Sequence, residues 1–355
     1  MTMNTAFNKW IIKALLLSLV IPGIVAGING FMDPLWYCNT SHRFNQKQED
    51  FNERQQKTNF ITFHDFDYDG LIIGSSTSTS MNQHHFKGIR VYNYAINALQ
   101  PLEYVPYIRY AREHNGKGFK YIFVGLDFLL AGKLPPPPFD PEKIFADTNK
   151  PLYRIKTLIS LDTLMFSRKT FMNYLYKRHI YYDRDNVKHT LTLRPEELRA
   201  NIATLMKHFE KSPFPYSFNN YKYSSNSRDI LQSIRDDNPG AVIVPFTTPV
   251  IDDFMVKMVR NNLLDDYERW IRDIVAVNGV CYNFMYPNTM SADPLKYFHD
   301  PNHTYPFVAD MMIDTMYNKK VEHDTEFCIY ITRRNLEEKI LLLRRLFREL
   351  EARSK

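Results

Sequence analysis

Three residues of this chain have the types that serine-dependent acyl transfer needs: Ser76, Asp300 and His303. That chemistry takes a hydroxyl nucleophile, a base for its proton, a group that orients the base, and N–H donors facing the oxyanion. Ser76 stands in Leu71-Ile72-Ile73-Gly74-Ser75-Ser76-Thr77-Ser78-Thr79-Ser80, an apolar run that stops at a glycine and continues in small hydroxyl residues. Such a run predicts a buried strand, a tight turn and the start of a helix. A serine at that turn keeps its hydroxyl clear of the strand ladder, and the helix start offers unpaired N–H groups. Ser and Thr are also good helix caps, so taken alone the run reads as a plain capped turn too. Asp300-Pro301-Asn302-His303 supplies the other half, an orienter and a base three residues apart in one loop.

The elements that must position these residues alternate between strand and helix. Apolar runs predict strands at 71–73, 89–96, 120–127, 241–246 and 280–284. Helical patterns are read over 101–113, from Arg194, within 252–276, over 306–317 and over 336–350. The almost wholly apolar run at 120–127 suits a strand buried on both faces, and the alternation argues for a parallel sheet covered on both sides. Pro135 to Pro138 mark a stiff break. Beyond it, residues of about 140–235 read as a mainly helical insert, either covering the sheet's active edge or adding a helical layer. In the last helix Leu336, Ile340, Leu343, Phe347 and Leu350 recur at spacings of four and three. Docking on the domain is its default role.

At 355 residues the chain can bury a large core, and 44% of it is apolar. The net charge of +6 is scattered among acidic residues, which gives no nucleic-acid footprint. From Ala14 to Met32 there is no charge, so residues 11–32 are about long enough to cross a bilayer. Lys9 and Lys13 precede this segment and Asp33 follows it, which places the N-terminus in the cytoplasm and the main domain outside. A cleaved signal peptide ending at Val25-Ala26-Gly27 is the competing reading, but the stretch exceeds a usual signal core and retention is favoured. Residues 33–66 read as an exposed, partly helical juxtamembrane connector, with Trp36 and Tyr37 at headgroup level. Cys38, Cys281 and Cys328 allow at most one bridge. His64 to Gly70 presents half a calcium loop, but its twelfth position is Ser76 where a Glu is required, so no metal is expected. The adjacent His84 and His85 read as a solvated helix end.

The order of parts resembles the SGNH, or GDSL-like, hydrolase superfamily, whose members put a serine after the first strand and an Asp-x-x-His pair near the end. Over about residues 67–320, Gly74-Ser75-Ser76 matches the first block, so the resemblance implies Ser76 as nucleophile. Asp300 and His303 match the last. Ser75 stands where many members carry Asp. Asn93-Tyr94-Ala95-Ile96-Asn97-Ala98 sits where the family has an oxyanion glycine, making the Ala98 N–H the implied donor. Gly125-Leu126-Asp127-Phe128 occupies the Gly-x-Asn-Asp block with Asp127 at the asparagine position. A carboxylate only accepts hydrogen bonds, so Asn93 or Asn97 is the alternative donor.

The resemblance implies a three-layer α/β sandwich with a central parallel sheet, flavodoxin-like, behind one transmembrane helix. Its organisation would be an anchor at 1–32, the connector at 33–66, the α/β domain at 67–335 and the terminal helix at 336–355. It is similar to bacterial envelope proteins that act on, or assist acylation of, surface polysaccharides and cell-wall polymers. The expectation is a serine esterase or O-acyltransferase with no cofactor, on the inner membrane, facing the periplasm or exterior. Its partners would be an envelope polysaccharide or acyl donor and a membrane-bound acyltransferase. A catalytically silent assembly module is the alternative, and a phosphate binder at the Ser/Thr-rich helix start stands third.

Overall fold

The computed structural model describes residues 2–48, 52–176, 180–211 and 217–355. Residues 49–51 of the expected connector, and 177–179 and 212–216 of the expected insert, lie outside the described residues. The helices are α1 (Thr2–Met32), α2 (Glu53–Phe63), α3 (Pro101–Asn115), α4 (Pro141–Thr148), α5 (Tyr153–Leu158), α6 (Leu161–Leu175) and α7 (Pro195–Lys211). They continue with α8 (Asn226–Asp237), α9 (Asp252–Arg260), α10 (Leu264–Asn278), α11 (Pro294–Tyr297), α12 (Pro306–Ile313) and α13 (Leu336–Arg353). The chain divides into two compact units, Met1–Asp65 with Glu142–Asp185, and Phe66–Pro141 with Asn186–Lys355.

The second unit is an α/β domain. Its sheet holds β1 (Gly70–Ile73), β2 (Val91–Asn93), β3 (Tyr121–Leu126), β4 (Val242–Thr247), β5 (Val280–Asn283) and β6 (Ile329–Thr332), in the order β2-β1-β3-β4-β5-β6. The first five strands pair in parallel and β6 runs antiparallel to β5. All four residues of β1 are buried, as are five of six in β3, so these strands lack the alternation of a half-exposed sheet. The strand order reverses beside β1, and in open α/β sheets ligands collect beyond the carboxyl ends of strands at such a point. The peptide leaving β1 carries Ser75 and Ser76, and the one leaving β3 carries Asp127.

Two glycines allow this junction. A Cβ on Gly74 or on Gly125 would collide with the Ser78 side chain, which packs between the ends of β1 and β3. The residues after β1 form a single 3-10 turn, Ser76–Ser78, where the sequence predicts a helix start. Ser75 caps it by accepting the Thr77 N–H. The run of hydroxyl residues competes for backbone groups, which favours caps and turns over a continued helix.

The terminal helix α13 packs on α9 and α10 and buries Ile340, Leu343, Phe347 and Leu350. Phe347 meets Tyr267 at 5.1 Å between ring centroids, and Arg344 binds Glu268 and Asp265. Each of those apolar side chains contributes about 1.5–3 kcal/mol by burial. The edge strand β6, absent from the sequence reading, packs beside Cys281 with Cys328 buried; all three cysteines are free thiols. Asp67 and Asp69 of the half calcium loop pair with Arg90, Lys117 and Lys120. His85 sits in a turn, not at a helix end, and bonds Asp314 at 2.9 Å.

The first unit differs from the expected exposed connector. Trp36 and Tyr37 are 2% and 1% exposed, and Gln48, Gln56, Lys57, Thr58 and Asn59 are buried with them. Burial of so polar a segment works because its side chains satisfy backbone carbonyls: Gln56 donates to Pro34 O at 2.8 Å and Asn59 to Leu35 O at 2.8 Å. Asp33, fully buried at the end of α1, accepts the N–H groups of Tyr37 and Cys38 and pairs with Arg184. Residues 142–185, read as part of an insert in the α/β domain, belong to this unit, whereas α7 and α8 belong to the other. Helix α1 is long and apolar enough to cross a membrane.

Candidate active site

Asp300 and His303 lie in the loop between α11 and α12. The loop closes as a small hairpin, with a bridge between Phe298 and Thr304 and the His299 N–H donated to His303 O at 3.0 Å. Ile251 N–H donates to Pro301 O at 3.0 Å and pins its tip. The Asp300 Oδ1 accepts the N–H groups of Asn302 at 2.9 Å and His303 at 2.8 Å. This is the local turn that Asp side chains favour. Its other oxygen, Oδ2, lies 2.7 Å from His303 Nδ1. The Asp-x-x-His spacing thus builds the turn and orients the imidazole with one carboxylate.

His303 Nε2 lies 2.7 Å from the Ser76 Oγ. A carboxylate only accepts, so Nδ1 carries the proton toward Asp300 and Nε2 keeps its lone pair for the Ser76 hydroxyl. Asp300 is 7% exposed. Burial alone would raise its carboxyl, but the imidazoles of His303 and His299 and the Asn302 N–H hold it below the ordinary range. The carboxylate is therefore ionised at neutral pH, ready to stabilise an imidazolium on His303.

His299, to which the sequence reading gave no role, stacks on His303 at 5.5 Å between centroids and 19° between planes. Burial pushes its imidazole down to about 4, against the pull of Asp300, with His303 and Lys188 adding to the depression. It is a neutral wall behind the base.

Asp127 does not serve as an oxyanion donor. Its Oδ1 accepts the hydroxyls of Thr77 at 2.8 Å and Thr248 at 2.6 Å, and its Oδ2 accepts that of Ser75. Three hydroxyls thus clasp one carboxylate across the ends of β1, β3 and β4. Across this contact Ser75 is the donor and Asp127 the acceptor. Asn93 is also spoken for: its amide donates to Ser78 O, Thr79 O and Met81 O, and its Oδ1 accepts the Ala95 N–H. Fully buried, it shapes the loop behind Ser76 and is absent from the cleft lining. Asn97 likewise lies outside that lining.

Ala98 does line the cleft with Ser76, held at φ +54°, the left-handed conformation that a glycine reaches most easily. The Ser76 N–H, first in its 3-10 turn, has no acceptor among the described residues. The cleft encloses about 460 Å³. Its polar end holds Ser76, Ala98 and Asn302, and its walls are apolar, with Leu134, Pro135, Pro136, Phe209 and Phe254 among them. The proline run therefore serves as a stiff wall. Thr77, Thr248 and the apolar walls had no motif by which the sequence could announce them.

No protein-family model matches the chain, and no curated protein is significantly similar to it.

Proposed function

We propose that the chain is a membrane-anchored serine esterase or O-acyltransferase of the SGNH type, acting on acyl esters of envelope glycans or cell-wall polymers. The observation that carries this reading is the continuous relay from Ser76 Oγ through the His303 imidazole to Asp300, each link 2.7 Å long. Strand order 2-1-3-4-5, the flavodoxin-like order, supports the fold half of the resemblance. The anchor reading rests on α1, with the α/β domain on the side opposite Lys9 and Lys13, in the periplasm or outside the cell.

In this mechanism Ser76 Oγ attacks the acyl carbonyl as His303 Nε2 takes its proton, and Asp300 holds the imidazolium in place. The Ser76 N–H, without an acceptor among the described residues, is the donor for the oxyanion. Collapse passes the proton from His303 to the leaving alcohol and leaves the acyl group on Ser76. Water or a sugar hydroxyl, deprotonated by His303, then releases it. The apolar walls suit the acyl moiety and exclude bulk water. The test is turnover of p-nitrophenyl acyl esters by the full chain in detergent, with and without added sugar. Absence of turnover, or turnover unchanged by Ser76→Ala, would refute the reading.

The clasped Asp127 favours a second reading, a silent module that binds envelope polysaccharide beside a membrane-bound acyltransferase. An envelope modification lost on deletion but kept by Ser76→Ala would select it. The phosphate-binding reading loses its basis, since a 3-10 turn replaces the helix start it needed.

A further inference from the structure

Helix α6 is built inside out. Its buried face is polar: Thr163, Ser167, Thr170 and Asn173 are 0–2% exposed, at the spacings of four and three that make one helical stripe. Its exposed positions carry large apolar side chains, Leu161 at 68%, Met165 at 62%, Leu175 at 54% and Phe171 at 40%, beside the charged Asp162, Arg168 and Lys169. A helix in water has the reverse pattern. Small polar side chains facing a neighbouring helix, with apolar ones facing outward, are the packing of helices in lipid. The short α5 before it continues the surface with exposed Ile155, and Ile159 at its C-terminal end is exposed as well.

Both helices pack on α1. Asn29, fully buried on α1, donates to Leu158 O at 2.7 Å and Ser160 O at 3.0 Å and accepts the Ser167 hydroxyl at 2.8 Å. An apolar groove of about 550 Å³, lined by Gly27, Ile28, Phe31, Leu164 and Phe171 with Arg168, runs between α1 and α6. The uncharged stretch of α1 that ends at Met32 spans about 28 Å at about 1.5 Å per residue, against a hydrocarbon core of about 30 Å. Asn29 lies less than one turn from that end, so the pair is fixed at the membrane boundary. Arg154, Lys156, Arg168 and Lys169 on the two helices outnumber the single Asp162. Such side chains reach back to anionic headgroups.

We propose that α5 and α6 form a second membrane-contact element, lying in the leaflet where the C-terminal end of α1 emerges. Leu161, Met165, Phe171 and Leu175 face acyl chains and the basic side chains face anionic headgroups. The inference rests on α1 being inserted in a bilayer.

The test places a photo-crosslinking amino acid at Met165 or Phe171 of the full chain, in vesicles of phosphatidylethanolamine and phosphatidylglycerol. Leu17, exposed on α1, reports insertion of the anchor, and the exposed Asn52 of the same unit reports contact with water. Lipid adducts are expected at Leu17, Met165 and Phe171 and are lost at Asn52. Adducts at Leu17 but not at Met165 or Phe171 overturn the contact surface and leave the anchor standing. Adducts at Met165 and Phe171 without Leu17 remove the anchor and overturn the inference that rests on it. Crosslinks from Met165 to a second copy of the chain overturn the lipid assignment, as does labelling of Asn52 in equal yield.

Discussion

The Oγ of Ser76 and the Nε2 of His303, 227 positions apart in the chain, stand 2.7 Å from each other. Two local devices bring them together. The 3-10 turn after β1 lifts Ser76 off the strand, and the Asp300 carboxylate folds the loop that carries His303 while fixing its ring. In the proposed mechanism these three act as nucleophile, base and orienter in one unit.

Ser76→Ala and His303→Ala are each expected to lower ester turnover by about 10⁴-fold or more, and the double variant to lose little beyond either single one. Asp300→Asn is expected to cost about 10⁴-fold through the wrong imidazole tautomer, and the folded baseline is checked by circular dichroism. Losses that multiply in the double variant would contradict a single unit.

His299 gives the fold a pH dependence. Its folded value of about 4 lies below the ordinary imidazole value of 6.5, so the unfolded chain binds the extra proton between those limits. Stability is full above pH 6.5 and falls by up to about 3 kcal/mol as pH drops toward 4. Urea unfolding across that range measures the slope, which His299→Phe is expected to flatten.

Gly125→Ala is expected to destabilise the domain by about 1–3 kcal/mol through overpacking against Ser78. Ser78→Gly in the same chain returns the space. It costs no hydrogen bond, because the Ser78 hydroxyl is buried with no partner among the described residues. Thermal melts of the single and double variants read the rescue.

Asp127→Ala leaves the hydroxyls of Ser75, Thr77 and Thr248 without their common acceptor. A loss of about 1–3 kcal/mol of stability is expected. Asp127→Asn, which keeps an acceptor oxygen, is expected to lose less in the same melt.

Elements with strong local signals were legible in the sequence. The apolar runs marked the five parallel strands, and Leu71 to Ser76 with Asp300 and His303 marked the relay. The short edge strand β6 gave no such signal, because four residues paired only with β5 carry little periodicity. The connector misled because Gln56 and Asn59 read as surface residues, while their amides satisfy carbonyls inside a core. Asp127 illustrates a further limit. Motif position suggested an oxyanion role, whereas its chemistry is set by three hydroxyls from distant turns. The inside-out pattern of α6 lay open in its residues but needed burial to say which stripe faced inward.

The most direct test of the central claim treats the full chain in detergent with a fluorophosphonate probe and reads intact mass beside Ser76→Ala and His303→Ala. One adduct on the wild-type chain, absent from both variants, is the predicted result. A folded wild-type chain that takes no adduct, or an adduct that survives Ser76→Ala, would contradict an activated Ser76.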